Sequence, residues 1–69
     1  MPLTIAESGK ENIIKKIGGR DETRKRLEEL GFVVGGSVTV VSRINGNLIV
    51  NVRQSRIALD RELANKIIV

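Results

Sequence analysis

The sequence lacks the side chains on which most enzymatic and metal sites depend. Its 69 residues include no cysteine, histidine, tryptophan or tyrosine, and only one phenylalanine. Without histidine or cysteine, the usual zinc clusters and the Ser-His or Cys-His nucleophiles are excluded. With one aromatic ring, the chain also lacks the platforms on which single-stranded nucleic acids stack. We therefore expect no enzymatic activity, no catalytic residue, no cofactor and no metal site.

Long hydrophobic runs are absent as well. Hydrophobic residues make up 41% of the chain, but they occur in short runs, well below the roughly 20 residues of a membrane span. There is no signal-peptide pattern at the N-terminus and no cysteine for a disulfide, which favours the cytoplasm. A chain of this length buries about 60% of its unfolded surface. We expect one domain over residues 1–69.

One substantial helix is predicted over about residues 21–30, in the run "RDETRKRLEELGF". Asp21 is a suitable N-cap residue. Gly31 directly follows the helix, where a residue with positive φ is expected, so that Phe32 can pack back onto Leu27. The glycines of "GFVVGGS" therefore end a helix instead of opening one. A phosphate there would meet the negative end of the helix dipole, so a nucleotide-binding loop is rejected.

The clearest strand pattern is a hairpin. The runs "SVTVVSRI" and "LIVNVR" flank Asn45-Gly46, a pair typical of a tight type I′ turn. Alternation on the second strand places Leu48, Val50 and Val52 toward the core. We expect the register to be well specified.

Other short elements complete the pattern. A first strand is predicted over Glu11–Ile17, with Ile13 and Ile17 on one side of the pleat and Ile14 on the other. Later elements are a turn at Gln54-Ser55, a strand "RIAL", a helical turn near residues 60–65 capped by Asp60, and a terminal strand "IIV". Such short strands with one helix predict a small closed β-barrel, because closure removes exposed strand edges.

The order of these segments resembles the FeoA family, small cytoplasmic accessory proteins of bacterial ferrous-iron transport. The likeness runs from Leu3 and Gly9 through the helix and the "LGF" turn, then through "RIAL" to the chain end. Each piece is short, and it is their order and spacing that resemble the family. Val34 stands where family members often have proline, and Ser55 where glycine is common.

The resemblance implies an SH3-like β-barrel without enzymatic activity. It implies docking on the cytosolic part of a FeoB-type membrane transporter, which carries a GTP-binding domain, and a role in the uptake of Fe²⁺. The protein would then be cytoplasmic and associated with the inner face of the membrane through this partner. The same barrel resembles the C-terminal module of iron- and manganese-dependent repressors.

A cluster of positive charge allows several interpretations. Six of the 12 basic residues lie between positions 15 and 26, and the net charge is +4. Clustered cations bind nucleic acid through its phosphates, which is the alternative function. They also form docking faces for proteins, or solvated faces balanced by ion pairs four residues apart on a helix. Weak self-assembly through a barrel edge is a further alternative.

Direct iron binding is not favoured by the acidic residues. Glu28 and Glu29 are adjacent and diverge around the helix, while Arg61 separates Asp60 from Glu62. A small barrel does not bury all its apolar side chains, which makes Val33 and Val34 candidates for contact with a partner. The candidate partner-binding residues are Arg24, Arg26, Leu30, Val33, Val34 and Arg56.

Overall fold

The computed structural model describes residues 1–69 and is mainly β. A 3₁₀ turn at Leu3–Ile5 opens the chain. The strands are β1 (Glu11–Ile13), β2 (Lys16–Ile17), β3 (Ser37–Ile44), β4 (Asn47–Val52), β5 (Ser55–Leu59) and β6 (Ile67–Ile68), and the helices are α1 (Asp21–Leu30) and α2 (Arg61–Ala64).

The strands form two antiparallel sheets, one with the order β1-β3-β4-β5 and one that pairs β2 with β6. Both sheets and both helices supply side chains to a single core of 15 buried apolar residues. The opening 3₁₀ turn and the residue after it contribute Leu3 and Ala6 to this core. The predicted barrel architecture is therefore confirmed.

The first predicted strand is wrong in one respect, since Glu11–Ile17 is not continuous. The chain passes from one sheet to the other between Ile14 and Lys15. The Ile14 amide donates to the Gly36 carbonyl at 2.8 Å, whereas the Lys15 amide donates to the Ile68 carbonyl at 2.7 Å. This break changes the alternation, so that Ile14 and Ile17 are both buried and Ile13 is exposed.

Helix α1 has the predicted bounds, but its predicted N-cap is wrong. Arg20 occupies the N-cap position with extended backbone and makes no side-chain cap hydrogen bond. Asp21 is already within the helix, and its carboxylate instead accepts a hydrogen bond from Arg24. An N-cap residue needs non-helical backbone angles, which Asp21 no longer has.

The C-terminus of α1 ends as predicted. Gly31 has φ of 108°, and its amide donates to the Glu28 carbonyl at 2.9 Å. The Phe32 amide donates to the Leu27 carbonyl, also at 2.9 Å. These two bonds form a Schellman motif. It turns the chain so that Phe32, the only aromatic residue, is fully buried with Leu27.

The turn of the β3–β4 hairpin is as predicted, with positive φ at both Asn45 and Gly46. The following turn is displaced from the prediction. It lies at Arg53-Gln54, where both residues have positive φ, and Ser55 already begins β5. Residues other than glycine seldom have a positive φ. The sequence did not predict the turn at this position because Arg53-Gln54 lacks the glycine or asparagine that usually marks such a turn.

A β-bulge in β3, which the alternation of the sequence does not predict, interrupts the register of the hairpin. The pairing shifts between Val40 and Ser42, so that Arg43 lies opposite Leu48 and Ile44 lies opposite Asn47. Directly opposed residues share one face of a sheet. The extra residue of the bulge therefore places Arg43 on the same side as the buried Leu48, and leaves Ile44 exposed.

Helix α2 is a single capped turn, as predicted. The Leu63 amide donates to the Asp60 carboxylate at 2.8 Å, which satisfies one otherwise unpaired amide at the start of the helix. This cap fixes the position of Arg61, the first residue of α2.

The first prediction concerns the left-handed backbone at the end of α1. Gly31→Ala should lower the free energy of unfolding by about 1–2 kcal/mol, because a side chain disfavours positive φ. The added Cβ would also lie 3.2 Å from the Arg53 side chain. Urea unfolding followed by circular dichroism measures this loss.

The matched control is Gly18→Ala. Gly18 does not have a positive φ, and a Cβ there would meet nothing nearer than 3.7 Å. This variant should unfold close to wild type. An equal loss in the two variants would contradict the assignment of strain to Gly31.

Candidate docking surfaces

All charged side chains of the protein lie at its surface. The buried residues are apolar, with no polar or charged side chain among them. Every buried polar atom in a side chain also has a partner. A site on this protein must therefore be built from exposed side chains and surface grooves.

The cations of α1 are not balanced in the predicted way. Ion pairs four residues apart are one interpretation of the charge cluster. The structure has one ion pair, Arg24 with Asp21, three residues apart. Both spacings bring side chains together on a helix, and such exposed pairs are weak. The other cations of the helix are therefore solvated and available to a partner.

Arg24 and Arg26 do not share one face of α1. Residues two positions apart project about 200° apart around a helix. Arg26 instead shares a face with Leu30, four residues later. The two arginines therefore do not make one continuous basic stripe, which is the feature that nucleic-acid binding most needs.

The apolar candidates come together after α1. We call Leu30, Val33 and Val34 the apolar turn. Val34 is 64% exposed and Leu30 is 39% exposed, whereas Val33 is only partly exposed. The next residue, Gly35, donates its amide to the Ile14 carbonyl at 2.8 Å. This bond holds the apolar turn against the end of β1.

The structure adds Arg53 to this region. Its side chain packs beside Gly31, at the start of the apolar turn. Arg56, by contrast, lies on β5 opposite Asn51 and donates to its side chain at 3.4 Å. Arg53 was missed because its position depends on the displaced turn between β4 and β5, for which the sequence carries no signal.

Two grooves mark the surface. The first, of about 470 Å³, lies between the start of α1 and α2 and mixes both charge signs; its lining includes Arg20, Arg26, Lys66, Asp60 and Glu62. The second, the hairpin groove, has a volume of about 310 Å³ and is lined by Thr4, Ile5, Arg43, Gly46, Asn47, Leu48 and Arg61.

Arg43 joins the hairpin to the opening segment. Its guanidinium donates to the Ser8 hydroxyl at 2.9 Å and to the Thr4 carbonyl at 3.1 Å. It also donates to the Ala6 carbonyl. These three bonds hold the 3₁₀ segment over one end of the barrel and form a rigid wall of the hairpin groove.

No group of three or more acidic side chains comes together where it could hold a metal ion. No helix is long and apolar enough to span a bilayer.

The fold and its surface define a small SH3-like barrel whose distinguishing features are exposed grooves and an apolar turn. Comparison with known proteins identifies its family. The family model of the FeoA domain matches residues 1–69, and the chain belongs to this family. The Fe(2+) transport protein A of Methanocaldococcus jannaschii is 38% identical over 68 residues, which cover 99% of this chain and 83% of that protein.

Solved structures agree with this fold. The FeoA of Stenotrophomonas maltophilia, solved in complex with zinc and described as an SH3 domain protein, has a TM-score of 0.86 at 28% identity, covering 100% of this chain and 88% of that one. A manganese-dependent transcriptional repressor has a TM-score of 0.87 at 16% identity, covering 97% of this chain and 39% of that one. The second likeness concerns the fold alone and matches the resemblance to repressor modules.

A second prediction concerns the bonds of Arg43. Arg43→Met keeps a long apolar stem but removes the donor of three hydrogen bonds, two of them exposed and one partly buried, so the free energy of unfolding should fall by about 1 kcal/mol. Arg56→Met is the control, because Arg56 makes one long, exposed hydrogen bond. Thermal and urea unfolding compare the two. Equal stability of both variants would show that the Arg43 bonds do not hold the opening segment.

Proposed function

We propose that this chain is a non-enzymatic accessory protein of ferrous iron uptake, acting in the cytoplasm as one barrel domain over residues 1–69. It docks on the cytosolic part of a FeoB-type membrane GTPase transporter. The observation that carries this proposal is the match of the whole chain to the FeoA domain family, supported by a relative named for Fe(2+) transport.

The apolar turn is the docking surface that we propose. Leu30 and Val34 expose aliphatic side chains in a segment held at both ends, by the Schellman motif and by the bond of Gly35 to β1. A rigid apolar patch loses little entropy when it binds, so its burial contributes more of its energy to affinity. Arg26 shares a helix face with Leu30.

Two cations near this patch, Arg26 and Arg53, suit a polar rim. Arg53 packs at the start of the apolar turn. Charged residues at the rim of an interface mainly speed association and orient the partner, whereas the apolar centre carries most of the binding energy. Arg24 and Arg56 lie on other faces and make only outer contacts in the proposal, so that their substitution should have smaller effects than changes in the apolar turn.

The test is copurification with the intact transporter from membranes. Val34→Asp should reduce recovery of the complex about tenfold or more, because it places a charge in a contact that must be desolvated. Ile44→Asp is the matched control. Ile44 is 55% exposed and lies at the far end of β3, about 23 Å along the strand from its first residue, Ser37.

Ferrous iron uptake gives the second measurement. In a strain deleted for this gene, uptake should be impaired, the Ile44→Asp variant should restore it, and Val34→Asp should not. Normal uptake in the deletion strain would contradict the proposed function. Equal copurification of Val34→Asp and wild type would instead contradict the docking surface and leave the function in place.

A further inference from the structure

The hairpin groove lies at the end of β3 remote from the apolar turn. One wall is the opening 3₁₀ segment with Thr4 and Ile5, another is the hairpin end at Gly46 and Asn47, and Arg61 of α2 completes the lining. The groove is therefore built from three segments that are distant in the sequence. It is a product of the tertiary fold.

The charge of this groove has one sign. Arg43 and Arg61 line it, and no acidic side chain does. The Arg43 guanidinium has five N–H groups and uses three of them in bonds to the opening segment. Arg61 makes no ion pair, since the one ion pair of the protein is Arg24 with Asp21. Positively charged N–H donors are thus available to a ligand in the groove.

The groove also has an exposed apolar element. Ile5 is 65% exposed, the highest exposure of any large hydrophobic residue in the protein. It lines the groove together with Leu48, which belongs to the core. A ligand that fits this lining therefore needs both an aliphatic group and a negative charge.

The walls of the groove are held in place before any ligand binds. Arg43 fixes the opening segment, and the Thr4 hydroxyl donates to the Asn65 side chain at 2.7 Å. The Asp60 cap fixes the backbone at the start of α2, from which the Arg61 side chain projects, and the two-residue turn fixes the hairpin end. Preorganised walls reduce the entropic cost of binding.

We propose that the hairpin groove binds an extended acidic peptide segment of a protein partner, with a carboxylate paired to Arg61 and an aliphatic side chain packed on Ile5. The charge of the lining argues for this occupant, because a guanidinium pairs well with a carboxylate and no acidic side chain lines the groove. Asp60 and Glu62, the chain neighbours of Arg61, line the other groove. This site is separate from the apolar turn, and the proposal does not depend on docking to the transporter.

The test uses three fluorescein-labelled short peptides and the purified full chain. One peptide alternates aspartate with leucine, one alternates lysine with leucine, and one alternates aspartate with serine. Fluorescence polarisation should show the strongest binding for the aspartate–leucine peptide. The affinity should fall as salt is raised, because the contact is at the surface. Amide shifts in a nitrogen-15 NMR titration should centre on Thr4, Ile5, Gly46 and Asn47.

Single substitutions separate the two contacts. Arg61→Glu should weaken binding of the aspartate–leucine peptide about tenfold or more, because it removes a charge-assisted bond and adds repulsion. Lys25→Glu makes the same charge change on α1 and should have little effect.

Ile5→Ser should weaken binding about fivefold through lost apolar burial. Ile13→Ser is its control, since Ile13 is 53% exposed and lies outside the groove. Thermal unfolding checks that all four variants fold.

Several results would overturn the proposal. These are no binding of the aspartate–leucine peptide, equal binding of the lysine–leucine peptide, or unchanged affinity in the Arg61→Glu variant. Amide shifts centred on Arg20 and Lys66 would assign the peptide to the other groove. Binding to phosphatidylglycerol vesicles, without peptide binding, would assign the hairpin groove to a lipid surface. Transporter copurification, measured separately, is unaffected by any of these outcomes.

Discussion

Burial of one continuous apolar core by two small sheets is the constraint on which the rest of the structure depends. The smaller sheet is too small to be stable alone, since it has only two strands of two residues each. The chain meets this constraint by crossing between sheets at Ile14 and Lys15, so that a single short segment pairs with both. Phe32, fully buried directly after α1, joins the same core. Because the apolar side chains are needed inside, all the charged residues are left on the surface.

The surface features follow from devices that serve the core. The Schellman motif that buries Phe32 also leaves the apolar turn projecting beyond α1. The bulge in β3 keeps Val40 inward and then shifts the alternation, which places Arg43 over the end of the barrel and exposes Ile44. In both cases a local change that completes the core also creates a surface that a partner can recognise. This coupling explains how so small a chain presents two separate candidate sites at opposite ends of one strand.

Local patterns predicted most of the fold, and they failed where distant segments meet. The bounds of α1, the Asn45-Gly46 turn and the Asp60 cap all rest on interactions within a few residues, and the structure confirms them. The break in the first strand depends on two different partner strands, which periodicity does not detect. Of the candidate docking residues, those of the apolar turn come together, whereas Arg24, Arg26 and Arg56 lie on different faces. Arg53 and the hairpin groove carried no local signal.

By itself the sequence determined that this protein has no histidine or cysteine chemistry, that it folds as a small barrel with one main helix, and that it resembles the FeoA family. These properties depend on which residue types occur and on their order over short stretches of the sequence. The tertiary structure decided which exposed residues become neighbours, including the meeting of Ile5, Arg43 and Arg61 around one groove. The physical reason is that strand register and sheet crossing are set by the packing of the whole core, and a shift of one residue turns a side chain from one face to the other.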